Sequence, residues 1–206
     1  MMSLLPVEVL VGYLAAITLL MLTPGPDMMF VLANGARYGT RAGMLAAAGV
    51  AAGEAVHISA VVAGLAGLVA GSPPVFEAIR YAGAAYLVVL GVQALRRPAT
   101  APTGVAAEGF SGRAAFGRGM VTNLLNPKMI LFSLAFLPQF ADPSRGHVTA
   151  QLITLGVLFI AVQLAVDVSL GAAAGRLAHR LHAWQRQIQR GCAAAFIGLG
   201  IKLAFF

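Results

Sequence analysis

Five ionisable side chains stand inside runs of apolar residues: Asp27, Glu54, His57, Lys128 and Asp167. In hydrocarbon a charged group at mid-depth costs about 2.5–3.5 kcal/mol on insertion scales, so such groups mark solute or proton paths by default. Two of them adjoin a break. Thr23-Pro24-Gly25-Pro26-Asp27 interrupts the first apolar run, and Asn126-Pro127-Lys128 interrupts a later one. A proline inside a helix removes a donor and clashes with the preceding turn, at a cost of about 3 kcal/mol. Lipid offers no partner to the backbone groups set free, so such breaks persist only where protein or water covers them. A matched pair of broken helices points to the binding site of a secondary transporter.

The chemistry these residues offer is charge recognition. A helix restarting after Pro26 presents free N–H groups and the positive end of its dipole, which suits a carboxylate. Lys128 adds positive charge, as a carboxylate partner or as a charge lock; its long stem could instead carry the ammonium to an interface. The carbonyls released before Pro24 and Pro127, together with Asp27, suit an ammonium group. An amino acid carries both charges. Asp27 is the foremost candidate for the proton or ammonium partner. Asp167 stands alone on its helix, either on the path or in an ion pair with Lys128. Glu54 and His57 lie three apart on one helix face, as a proton-sensitive pair or as lining of the bundle mouth.

The elements that must hold these groups are membrane helices. Of 206 residues, 59% are hydrophobic and 10% charged, against about 25% charged in soluble domains. The expected fold is an all-α integral membrane protein with six transmembrane helices, arranged as two inverted three-helix repeats with helices one and four broken. The first repeat covers 1–95, with spans at about 7–34, 42–70 and 75–95. A Pro-, Ala- and Thr-rich flexible linker covers 96–112. The second repeat covers 113–206, with spans at about 114–140, 148–174 and 188–206. Gly49 and Gly53, four apart in the second span, allow close helix approach.

The net charge of +7 does not indicate nucleic acid, because the basic residues fall between apolar runs. Arg37, Arg41, Arg96, Arg97, Arg113, Arg118, Arg176, Arg180, Arg186 and Arg190 fall in alternate connections, and Arg80 and Arg145 in the others. The positive-inside rule places the first set in the cytoplasm, and six spans then put both termini outside. The N-terminus reads as a retained first span rather than a removable signal. The lone Cys192 excludes an internal disulfide. No metal motif, phosphate-binding lysine loop or nucleophile elbow is present, so neither cofactor nor enzymatic activity is expected.

Beyond these readings, the motifs resemble the LysE/RhtB family of amino-acid exporters over nearly the whole chain. The resemblance rests on residues 23–27, on the spaced glycines and His57 of span two, and on Gly83-Ala84-Ala85-Tyr86-Leu87 with Gly91 in span three. Its most specific part is Asn123-Leu124-Leu125-Asn126-Pro127-Lys128 running into Phe136-Leu137-Pro138-Gln139-Phe140. It implies proton-driven export of amino acids or close derivatives across the bacterial inner membrane, by a homodimer. It carries the first break to Pro24, Gly25, Pro26 and Asp27, the second to Asn126, Pro127 and Lys128, and an acidic position of span two to Glu54. The alternatives are an exporter of divalent metal ions or other small solutes of the same superfamily, and a membrane scaffold that transports nothing.

Overall fold

Pro26 and Pro127 break their spans by starting helices rather than by distorting them. In the computed structural model, α1 (Val7–Leu22) ends at Thr23, whose N–H still bonds the carbonyls of Leu19 and Leu20. Thr23 and Gly25 are extended, and α2 (Pro26–Tyr38) begins with Pro26 in its first turn. There the missing N–H removes only a donor that would have lacked a helical partner, and the fixed φ suits the new helix. The second break repeats the device. After α3 (Thr40–Gly71), α4 (Gly112–Leu124) closes at Leu125, and α5 (Pro127–Phe136) opens behind Asn126. The Asn126 side chain caps it by accepting the N–H of Lys128 at 3.1 Å. The axes turn by 59° at the first break and 60° at the second.

The structure describes residues 4–71, scattered positions between 74 and 92, and residues 111–205. Described residues are helical apart from short connections, and none forms a strand. Two segments, Thr40–Gly64 and Val148–Ala174, are each long and apolar enough to cross a membrane, and the two bent pairs qualify when each is counted as one span. Most of the expected third span, at about 75–95, and the linker from 96 to 110 lie outside the described residues.

One connection differs from expectation. The sequence reading ends the fifth span near 174 and starts a sixth near 188, yet α6 (Val148–Phe205) is one helix of 58 residues. The basic stretch between holds no proline, and Arg, Leu, Ala and Gln are good helix formers. Charge there marks where the apolar run ends; it does not turn the backbone.

α3 is the central helix, flanked by α2, α4 and α6. Its glycines explain how closely. A Cβ on Gly43 would come within 2.7 Å of Gly171 in α6, and one on Gly53 within 2.8 Å of the Met120 carbonyl in α4. A Cβ on Gly49 would overlap the Phe116 carbonyl, and one on Gly119 would overlap that of Ala46. In lipid no hydrophobic force drives helices together, so contact area gained by small residues has to do so. Away from α4, an aromatic cluster joins α1, α5 and α6. The Tyr13 hydroxyl donates to the Leu155 carbonyl at 2.8 Å, and Phe132 stacks on Phe136 with centroids 4.1 Å apart.

The connection from α5 to α6 is held by one buried glutamine. Gln151 Nε2 donates to the carbonyls of Asp142 (3.0 Å) and Gly146 (2.8 Å), and its Oε1 accepts the Asp142 N–H (2.8 Å). The Ser144 hydroxyl and backbone N–H, and then Arg145, hold the Asp142 carboxyl below its usual range. Gln151→Leu strands three backbone groups, each costing about 1–3 kcal/mol where water cannot replace the bond. The expected result is a thermal midpoint several degrees lower in detergent, with proteolysis concentrated between 141 and 147. A midpoint equal to wild type would show that the clamp contributes nothing.

Candidate functional site

The two breaks meet. A small cavity between them is lined by Met21, Thr23, Gly25, Asp27, Met28, Asn126, Lys128, Met129, Gln163 and Asp167. The break from α1 to α2 supplies Gly25 and Asp27, the break from α4 to α5 supplies Asn126 and Lys128, and α6 closes the side with Gln163 and Asp167. The last two are four apart and so share a face of α6.

Lys128 shows how the breaks depend on each other. Its ammonium donates to the carbonyls of Leu20 (3.2 Å) and Thr23 (3.0 Å). These belong to the last turn of α1, the negative end of that helix, where a cation is favoured. The sequence reading offers the carbonyls before Pro24 to a solute ammonium; in the structure they hold the protein's own. Lys128 packs beside Gly25, where an added Cβ would meet Nζ at 3.4 Å, an ordinary contact.

The acidic groups are buried and unequally satisfied. Asp27, in the first turn of α2, is 6% exposed, Asp167 4%, and Glu54 fully buried. Asn123 Nδ2 donates to Asp27 Oδ2 at 3.0 Å and to Glu54 Oε2 at 3.3 Å, so one amide joins α2 to α3. Glu54 Oε1 accepts the Ser133 hydroxyl at 2.6 Å, and His57 Nδ1 lies 3.8 Å from Glu54 Oε2. Three buried oxygens on the cavity's lining residues have no hydrogen-bond partner: Asp27 Oδ1, Gln163 Oε1 and Asp167 Oδ2. All three are acceptors as assigned. Buried polar groups in folded proteins are nearly always paired, so a cluster of orphans on one cavity calls for a donor. Among the described residues, no group of three or more His, Cys, Asp or Glu is placed to hold a metal ion.

Of the residues singled out from sequence, Gly25, Asp27, Asn126, Lys128 and Asp167 come together on the cavity. Glu54 and His57 stand behind it, joined to Asp27 through Asn123. Pro24 is half-buried and Pro26 exposed, and neither lines the cavity; their part is in the backbone path. The Pro127 side chain lies outside the described residues, although its place at the start of α5 is clear.

The model of the LysE type translocator family matches residues 18–205. The chain belongs to this family. A homoserine/homoserine lactone efflux protein of Salmonella typhimurium is 33% identical over 199 residues, covering 94% of each chain. A leucine efflux protein of Salmonella choleraesuis is 38% identical over 136 residues, covering 66% of this chain and 64% of its own. An uncharacterized membrane protein of Pseudomonas aeruginosa is 36% identical over 207 residues, covering 93% of each. No solved structure matches. As a LysE family member the chain is a multi-pass membrane transporter of the amino-acid efflux type.

Three polar residues at or beside this candidate site are absent from the reading of ionisable groups: Asn123, Ser133 and Gln163. They carry no charge, so a search for charges inside apolar runs passes over them. A signal existed for each: Asn123 opens the motif that runs to Lys128. Gln163 precedes Asp167 by one helical turn, and Ser133 is the one hydroxyl in the apolar stretch that follows Lys128.

Proposed function

We propose that this protein exports a small neutral amino acid, or a close derivative carrying one ammonium group, from the bacterial cytoplasm across the inner membrane in exchange for protons. The observation that carries the reading is the set of three unpaired buried acceptors, Asp27 Oδ1, Gln163 Oε1 and Asp167 Oδ2, on the lining of one cavity. An ammonium group has three N–H donors and a positive charge, and two of the acceptors belong to carboxylates. The remaining wall favours an aliphatic side chain. Met21, Met28 and Met129 are unbranched and polarisable, and such residues adapt to ligands of varied shape. The efflux of leucine and of homoserine or its lactone, for which two relatives are named, fits a site of this kind.

A solute carboxylate would face the N-terminal turn of α2, with the Lys128 ammonium next to it. Protons enter the same reading because a buried carboxylate without a cation is costly, and a proton relieves that cost as an ammonium does. Emptying the cavity toward the outside therefore favours protonation, and filling it from the cytoplasm favours proton release. The paired bends support an inverted repeat in which one half rocks against the other, with the basic connections on the cytoplasmic side. Assembly as a homodimer belongs to the same proposal.

The test is reconstitution of the full chain into proteoliposomes with an imposed pH gradient. Leucine, homoserine, homoserine lactone, lysine and divalent metal ions would be offered in turn. The expected outcome is gradient-driven movement of neutral amino acids or the lactone, and collapse of that movement with a protonophore. Movement of metal ions alone, or of no amino acid, would overturn the reading.

A further inference from the structure

We propose that the proton and the solute bind at two different carboxylates, Glu54 and Asp27, and that Asn123 couples them by holding both on one amide nitrogen. The inference rests on the exporter reading above and deepens it. Asp27 lines the cavity, whereas Glu54 does not. Glu54 is fully buried on α3; its side chain accepts from the Ser133 hydroxyl and the Asn123 amide and lies 3.8 Å from His57 Nδ1. Because Asn123 Nδ2 lies 3.0 Å from Asp27 Oδ2 and 3.3 Å from Glu54 Oε2, the two carboxylate oxygens are within about 6 Å of each other. Like charges at roughly 4–6 Å oppose joint ionisation, and low-dielectric surroundings strengthen the effect. With the Lys128 ammonium already acting on Asp27, the pair therefore holds one further positive charge more readily than none or two.

The sign of this coupling is that of exchange. A solute ammonium on Asp27 supplies the positive charge, and Glu54 gives up its proton. A proton on Glu54 removes the second negative charge, and Asp27 then holds the ammonium less tightly. No bond other than O–H and hydrogen bonds changes, and one proton crosses for each ammonium released. The titratable groups in reach of Glu54 are His57 on its own helix, Asp27 of α2 and Tyr13 of α1. Lys128 of α5 and Asp167 of α6 act on Asp27 from the cavity. His57 is the accessible member, with its side chain 14% exposed, and it offers the proton a way in and out.

The experiment compares the full-length wild type with E54Q and S133A in proteoliposomes, using leucine and homoserine lactone as probes. The quantity read is the ratio of efflux with a pH gradient to efflux without one. E54Q, neutral at every pH, is expected to bring the ratio to about one. S133A removes a donor that favours ionised Glu54 and lies away from the cavity; it is expected to move the midpoint of the pH profile upward by about half a unit or more. An E54Q ratio equal to wild type, or an S133A profile that does not move, would overturn the two-carboxylate assignment. Should E54Q fail to fold, the S133A profile decides alone. A wild type that moves neither probe would instead overturn the exporter reading, and this inference with it.

Discussion

Asp27→Asn is expected to lower efflux between tenfold and a hundredfold while the protein still folds. The carboxylate accepts from Asn123 through Oδ2, and Oδ1 is unpaired and belongs to the cavity lining. An asparagine there can keep a hydrogen bond to Asn123 by turning its amide, so the loss falls on the charge. A hydrogen bond to a charged group contributes about 1.5–3 kcal/mol, and about 1.4 kcal/mol corresponds to a factor of ten in binding. Asp167→Asn is expected to cost a similar factor, since its Oδ2 belongs to the same lining and is also unpaired. The double variant carries the sharper information. If both carboxylates hold one ammonium, the combined loss is smaller than the product of the two single losses, because the second substitution acts on a contact already weakened. Initial efflux rates in proteoliposomes, normalised to reconstituted protein, give all three values. Rates for D27N within twofold of wild type would remove Asp27 from solute binding.

The sequence points to this candidate site because lipid makes its oddities expensive. Prolines, a lysine and aspartates in apolar runs have few physical explanations, and the breaks at 24–26 and 126–127 led to the residues that the fold brings onto one cavity. The two interruptions were legible for the same reason, since proline at a first turn starts a helix as surely as it ends one. Partnership was not legible. Nothing in the order of residues says that Lys128 reaches the carbonyls of Leu20 and Thr23, more than a hundred positions earlier. Nor does it say that Asn123 bridges Asp27 and Glu54, because a neutral amide in a helix costs little to explain away. The continuous helix Val148–Phe205 marks another limit. Basic residues report where lipid ends, while a turn needs glycine, proline or a capping residue in the right place, and charge supplies none of these.

The close approach of α3 and α4 leads to the second large effect. Gly49→Val is expected to destabilise the protein by on the order of 3 kcal/mol, because even the first added carbon overlaps the Phe116 carbonyl and backbone cannot swing aside as a flexible side chain can. The expected readout is a large loss of monodisperse protein in detergent and a markedly lower thermal midpoint. Gly64→Ala serves as the control, since a Cβ there meets nothing within 4 Å and alanine is the better helix former. An equal effect at both positions would mean that helix propensity, and not the crossing, decides stability. One turn further along, Gly53→Ala is expected to disturb packing and function together. A Cβ at Gly53 would lie 2.9 Å from both Cβ and Oδ1 of Asn123. The Met120 carbonyl lies closer still, at 2.8 Å, and is backbone, so Gly53→Ala should cost stability as well as displace Asn123. The amide displaced is the one shared by Asp27 and Glu54, so efflux should fall together with the thermal midpoint. The small residues of α3 would then have two duties: Gly49 brings α3 and α4 together, and Gly53 leaves the space in which Asn123 reaches both carboxylates.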